Sequence, residues 1–450
     1  MTAIVPEIPT APSRSVARPL REQYGRSLRD IVRRVDHDKW IEGERDVIGR
    51  IKGSEQGRIA ELLPFRHGRM AQSPFAFLRG SAAVMAPDLM ALPTTGYCVQ
   101  ICGDAHVRNL GAYSAPDGRI VFDVNDFDET TRAPWEWDLK RLAVSFVVVA
   151  RESSATDGVA RDAVMELVRS WREALHELAD LPAYELPRYT VHRFASDGAV
   201  GRVLAKAERM SPTQACDELA APGPDARPRF VPAPPKIHRV PDAEAEDVLE
   251  SLAMYRTTVG PSRVQVLDCY EAYDVAFKVA GTGSIGGRNY VVMCAGNGPN
   301  DSLVLQVKQA LPSSFELLGW NGGSPSHGGQ RVATGQHRMQ TSVDPFVGWT
   351  TIDGTPFYVR QLSDHKASID PADLKRSSLL EYARVCGETF GKVHARTADA
   401  AVLYGYAGQA EKLDRAFAKM ALVAADQVTR DWELLVAAIA KGDLASADMD

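Results

Sequence analysis

Basic residues are not in excess: 52 lysines and arginines stand against 58 aspartates and glutamates, a formal charge of −6 with histidine neutral. Nucleic acid is therefore not the expected partner, because its phosphate backbone selects a clustered positive surplus. Long hydrophobic runs are also missing. The longest, such as Ala143 to Ala150, fall well short of the roughly 20 residues that cross a bilayer, so a soluble protein is expected and no membrane partner. The six cysteines, Cys98, Cys102, Cys216, Cys269, Cys294 and Cys386, show no paired short spacing. Neither a disulfide framework nor a zinc site is indicated, and most are expected as small buried hydrophobes. Residues 1–21 lack both the basic start and the apolar stretch of a secretory signal; they read as a flexible Pro/Ser-containing tail, and a cytoplasmic home follows.

What is present is an ordinary folded composition, 45% hydrophobic and 24% charged, which excludes a mainly disordered, collagen-like or coiled-coil chain. At 450 residues the chain is long enough for two or three domains or lobes. No internal repeat is found. From Arg21 to about Leu63 apolar residues at helical spacing predict helices, and Ser73-Pro74 can start another that runs toward Met85. YCVQICGD after Gly96 and RIVFDVNDFD from Arg119 read as two strands, and Ser114, Pro116, Asp117 and Gly118 between them make a hairpin of the pair. DLKRLAVSFVVVARE and DAVMELVRSWREALHEL are long helical patterns. The proline-dense interval 220–240 reads as an irregular linker. Beyond it AYDVAFKVA, RNYVVMCA, SLVLQVKQA and PFYVRQL, separated by turn residues, predict an antiparallel sheet over 265–370. Helices return over 371–450.

Three segments carry candidate chemistry. In CGDAHVRNLG, Asp104 and Asn109 stand five apart in a polar loop past an apolar strand. An aspartate that takes a proton and an amide oxygen that helps hold magnesium suit phosphoryl transfer at this spacing; a capped turn is the plainer alternative. In FDVNDFDET, Asp123, Asp126 and Asp128 crowd a strand end, and such carboxylates attract a hard divalent cation, magnesium or manganese, unless they serve as turn formers. Asp138 in WEWDLKRLA either caps a helix or supports the catalytic loop. The third segment, VAGTGSIGGRNYVV, places Gly281, Gly283 and Gly286 as G-x-G-x-x-G between two β-prone runs with no helix after them. That order suits backbone amides covering nucleotide phosphates better than a dinucleotide fold, which needs a helix next. Lys308, central in LVLQVKQA, pairs with phosphate or carboxylate if buried, or faces water from an edge strand. Glu316, the nearest glutamate in sequence, is its candidate partner. Arg66, Arg69 and Arg79 are suited to a phosphate or acidic substrate, or to plain intramolecular ion pairs. His106 either touches substrate or metal or hydrogen-bonds within its loop.

Together these parts resemble the protein-kinase-like superfamily, particularly aminoglycoside and choline kinases, whose loops read like HGDxHxxN followed by a strand ending IDFE. The order differs: the catalytic-loop and metal-aspartate look-alikes come first, the glycine loop and lysine some 170 residues later, and the helix GETFGKVHA after both. The resemblance implies an α+β fold of two lobes, circularly permuted. Residues 22–264 would give the helical lobe with the catalytic and metal loops, 265–370 a small β lobe for the nucleotide, and 371–450 the helices that rejoin the first lobe. It also implies roles: Asp104 as base, Asn109 and Asp126 as metal ligands with Asp123 and Asp128 as neighbours, and Lys308 on phosphate. Cys102 stands where kinases usually carry histidine. The phrases RMAQSPFAFLRGSA, CGDAHVRNLG, FDVNDFDETTRAPWEWDLKRLA, VKQA, YVRQLSDHK and CGETFGKVHART are also similar to the domain of unknown function 2252 family, from about residue 22 onward.

The expected activity is an ATP- and magnesium-dependent phosphotransferase acting on a hydroxyl acceptor, a small molecule in preference to a protein, with no protein partner indicated. Nucleotidyl transfer on the same fold, a catalytically inactive nucleotide-binding module, and a metal-dependent hydrolase built on Asp104, His106, Asp123, Asp126 and Asp128 are the competing readings.

Overall fold

The computed structural model describes residues 5–41, 45–191, 198–210, 214–223, 227–279, 281–298, 301–362 and 367–448. Met1 to Ile4 of the expected tail, part of the proline-dense interval, and the Ser363 to Lys366 end of YVRQLSDHK lie outside them. The architecture is α+β, and every strand pairing is antiparallel.

The helical part is organised around Glu136–Glu152, whose residues from Glu136 to Ala150 are all buried. This explains its apolar run: a helix enclosed on every side needs no polar face. Among the described residues, no helix is long and apolar enough to cross a membrane. Helices Asp157–Leu178 and Arg376–Thr397 lie against each other and Lys412–Lys441 packs alongside. Their approach needs a glycine, because a Cβ on Gly387 would stand 2.2 Å from the Leu167 carbonyl oxygen. Trp135 and Trp171 stack at 4.6 Å between these helices, and the Trp171 indole donates to His394 Nδ1 at 3.0 Å. The N-terminal stretch is seated on this body: Val5, Ile8 and Ala11 pack on the core, Arg14 donates to the Ala398 carbonyl, and Arg21 pairs with Asp399 at 2.7 Å. Its apolar residues, outnumbered in composition, decide its placement. The helices expected to Leu63 are short, with 3-10 turns at Leu28–Asp30 and Arg34–Asp38.

Four strands carry the first loops: β1 (Cys98–Ile101), β2 (Leu110–Ser114), β3 (Ile120–Val124) and β4 (Thr131–Pro134). The expected hairpin is corrected here. β1 pairs with β4, Ile101 opposite Thr131, whereas β3 pairs with β2, Leu110 opposite Val124. The turn around Asp117 and Gly118 does close a hairpin, but its first strand is LGAYS, which a glycine and two small residues hide among β-prone neighbours.

The proline-dense interval is also more regular than expected. It holds β5 (Ala220–Pro222), β6 (Pro228–Phe230) and β7 (Ile237–Arg239). Prolines fit there because these strands are short and lie at edges, where a missing N–H costs no ladder bond. β8 (Glu271–Lys278), β9 (Asn289–Ala295), β10 (Ser302–Gln309), β11 (Gly348–Ile352) and β12 (Thr355–Gln361) complete a six-stranded sheet in the order β11-β12-β10-β9-β8-β7. A helix, Gly328–Met339, follows β10. Phe277, Tyr290, Val292, Leu305, Val307, Phe357 and Val359 form the core on one face. The opposite face divides: Ala276, Val291, Met293 and Val304 are covered by Cys216 and Phe230, while Lys278, Asn289, Gln306, Lys308 and Arg360 overlook a cavity. A two-residue strand, β13 (Ala367–Ser368), joins β2, so the segment after β12 returns to the loops of the helical part.

Candidate functional site

Buried Val99 and Ile101 draw β1 into the body, and the strand ends abruptly at Cys102-Gly103. Gly103 has φ +81°, and a Cβ there would stand 2.2 Å from the Glu129 carbonyl oxygen, so only glycine makes this turn. Asp138, in the first turn of the buried helix, holds it in place: its carboxylate accepts from Cys102 N at 2.8 Å and Gly103 N at 2.9 Å. Asp138 does not cap its own helix. Burial pushes its carboxyl up to about 6, against the pull of the two amides.

One helical turn along, Arg141 donates Nε–H to Asp104 Oδ1 at 2.7 Å and Nη2–H to the Leu78 carbonyl at 2.7 Å. Asp104 Oδ2 lies 3.7 Å from His106 Nε2. Burial raises the Asp104 carboxyl, with Arg141 and then Arg79 pulling the other way. Burial holds His106 well below the usual imidazole range, and Arg79 and Arg141 add to it, so the ring is neutral. It also accepts from Arg108 N within its own loop, at 3.2 Å. Asn109 closes the loop, donating Nδ2–H to the Asp104 carbonyl at 2.6 Å, and its own backbone carbonyl accepts from Asn125 N at 3.0 Å. The β2–β3 hairpin thereby sets Asp126 beside the loop, where Asp126 Oδ1 accepts from Asp128 N at 3.3 Å.

Asp128 is the junction. Its Oδ2 accepts from Lys308 Nζ at 2.5 Å and from Ser284 Oγ of the glycine loop at 2.8 Å, across 180 and 156 residues of chain. Burial alone would raise Asp128, but Lys308 and Ser284 outweigh it and hold the carboxyl below its usual range. Lys308, 7% exposed, is raised in turn: burial would lower it, and Asp128 prevails. Of the two readings of Lys308, burial beside a carboxylate is the one observed.

These groups share one cavity of about 470 Å³, lined by Asp104, Asn109, Asp126, Gly281, Gly283 and Lys308 among others. Its size suits a small ligand. Gly281 to Ser284 form its rim, with Gly283 close enough that a Cβ would meet the Arg79 carbonyl at 3.3 Å. Gly286 instead turns the loop back at φ +90° over Arg58.

Two expected partners are placed otherwise. Glu316 does not meet Lys308; it accepts from Ser313 N at 2.7 Å and pairs with Arg331 Nε at 3.2 Å. Nearness in sequence misleads here because the chain turns away from β10 at Pro312 and Ser313. Asp123 is committed to structure: it forms an ion pair with Lys392, both side chains 2% exposed, and accepts from Val124 N at 2.9 Å and Thr341 N at 3.2 Å. The last three residues of β3, Phe122, Asp123 and Val124, are all buried, and the cavity begins at Asn125. Arg66 takes the plainer role, donating to Glu55, Ser54 and the Gly80 carbonyl. Arg79 does not: its Nε is buried with no hydrogen-bond partner. Among the described residues no three His, Cys, Asp or Glu side chains form a ready-made metal cage. Magnesium needs none, because it is commonly bound by one or two carboxylates together with substrate phosphates.

Arg141, Arg108, Lys278 and Arg360 were not singled out in the sequence. Arg141 alone had a signal, standing three residues after Asp138 and so on the same helix face.

An α+β chain with a polar cavity between a helical body and an antiparallel sheet is the class these features define. Residues 58–438 match the family model of DUF2252, described as an uncharacterized protein conserved in bacteria, and the chain belongs to that family. No curated protein and no solved structure matches it.

Proposed function

We propose that the chain is an ATP- and magnesium-dependent phosphotransferase with a permuted kinase-like arrangement. The observation that carries this reading is the meeting of Asp104, Asn109 and Asp126 with the glycine loop and Lys308 in one cavity. In kinases a glycine-rich loop covers the phosphates, a strand lysine contacts them, an aspartate accepts the hydroxyl proton and an asparagine and a second aspartate hold the metal. Strand, glycine loop, strand, lysine strand and helix follow one another here in that order. The helices from Arg376 onward pack on the body that carries Asp104, which supports a circular permutation of two lobes.

Asp104 is the proton acceptor. Arg141 fixes its Oδ1 and leaves Oδ2 toward His106, so the carboxylate is oriented before substrate arrives. Asn109 and Asp126 supply hard oxygen donors suited to magnesium or manganese, which when bound neutralises phosphate charge. Lys308 orients phosphate, and Asp128 holds the ammonium in place. One feature departs from kinases: the helix Gly328–Met339 contains no glutamate, and the lysine's carboxylate partner is Asp128 instead. Six free cysteines suit the reducing cytoplasm in which such an enzyme would work.

The test is Asp104→Asn. Turnover, read as ADP formed with an acceptor pool, should be abolished while magnesium-dependent ATP binding remains; an Asp104→Asn enzyme with full turnover would overturn the assignment.

A further inference from the structure

The cavity has a cationic wall that nothing in the nucleotide site uses. Lys308 is engaged with Asp128, and Arg360 donates to Gln306 Oε1 at 2.9 Å; both belong to the sheet. Arg79 and Arg108 belong to the opposite wall, Arg79 at the end of the helix Pro74–Gly80 and Arg108 inside the catalytic loop between Asp104 and Asn109. Neither guanidinium has a hydrogen-bond or ion-pair partner among the described residues, and Arg79 Nε is buried in that state.

Arg79 and Arg108 line the same cavity, where the carboxylates of Asp104 and Asp126 attract Arg79 through space. A buried donor left without an acceptor is unfavourable, and the second guanidinium adds like-charge repulsion. Burial and Arg108 lower the Arg79 guanidinium, while Asp104 and Asp126 pull the other way. Asp104 compensates only in part, because its Oδ1 already accepts from Arg141. Arg79 Nε has no acceptor inside the described fold, and an anion arriving from outside would complete the arrangement.

We infer that the acceptor is a small hydroxyl compound bearing an anionic group, phosphate or carboxylate, which Arg108 and Arg79 hold beside Asp104. The inference deepens the phosphotransferase reading and rests on it. Guanidinium forks match the planar or tetrahedral oxygens of such groups. Arg108 lies one residue from Asn109 and four from Asp104, so an anion on it brings the hydroxyl of a compact molecule to the base. The same wall disfavours cationic acceptors of the aminoglycoside or choline type, which would meet the two guanidinium groups.

A matched probe series tests this: glycerol 3-phosphate, glycerate, glycerol and choline, titrated calorimetrically into the full chain with and without saturating MgADP. The phosphate or the carboxylate compound should bind, glycerol and choline should not, and which anion binds distinguishes the two sources. Arg108→Gln, a half-buried side chain with no partner to lose, should weaken the bound anion at least about tenfold while MgATP affinity holds. Binding of choline in preference to the anions, no binding of either anion, or an Arg108→Gln variant that loses MgATP as strongly as the anion would each overturn the inference. Failure of MgADP itself to bind would strike the phosphotransferase reading, and the titration without nucleotide would still decide the anion site.

Discussion

Asp123→Asn separates the structural carboxylate from the functional ones. Asp123 and Lys392 are each 2% exposed and form an ion pair inside the helical body. Removing one partner of such a pair leaves an uncompensated buried charge, at a cost of about 3–5 kcal/mol. Asparagine keeps an oxygen for Val124 N or Thr341 N, which places the expected loss near the lower end, about 3 kcal/mol. The double variant Asp123→Leu/Lys392→Met removes both charges and should recover most of that loss. The assay is urea denaturation followed by tryptophan fluorescence, paired with magnesium-dependent ATP binding at low temperature, where the single variant remains folded. Asp126→Asn should show the converse, with stability changed by less than about 1 kcal/mol, as for sites outside the packed core, and magnesium-dependent binding lost. An Asp123→Asn protein of unchanged stability that no longer binds ATP with magnesium would refute the reasoning and return Asp123 to the metal.

Gly103→Ala should destabilise the protein by at least about 2 kcal/mol, read by thermal melting, because φ +81° and the Glu129 carbonyl at 2.2 Å exclude a Cβ; an unchanged melting temperature would contradict the loop geometry. Asp344 accepts from Phe346 N at 2.9 Å and Gln361 N at 2.6 Å, and burial pushes its carboxyl from 3.8 up to about 6. The folded state then binds more protons than the unfolded one between those values, so this group's contribution is full below about pH 4 and falls as pH rises through about 6. The stability gap between the native chain and Asp344→Asn should accordingly shrink from pH 4 to pH 7, and a gap that widens would reverse the sign. Asp138→Asn turns an N–H donor toward Cys102 N or Gly103 N; turnover should fall with about 1–3 kcal/mol of stability, both measured on the same preparation.

Local chemistry was legible and long-range pairing was not. CGDAHVRNLG announces its loop because glycine, aspartate and asparagine at that spacing are constrained by neighbours a few residues away. The β-prone runs around Lys308 were readable for the same reason, since alternation along β10 places Gln306 and Lys308 on one face. The partner of Lys308 was not readable: it depends on how the sheet seats against the β3 loop, 180 residues earlier, and the nearest glutamate in sequence proved irrelevant. The two strands taken as a hairpin were correctly strands but wrongly paired, because LGAYS is too short and small to outweigh them in composition. Asp123 and Asp126 look alike in FDVNDFD, and only the facing of the strand end, with Lys392 waiting in another helix, tells a buried ion pair from a cavity carboxylate.

The measurement closest to the central claim is calorimetric titration of ATP, with and without magnesium, into the full chain and its Lys308→Ala variant. The proposed site predicts magnesium-dependent binding to the native chain that the variant loses. Absence of ATP binding by the native chain, or equal binding by Lys308→Ala, would contradict it.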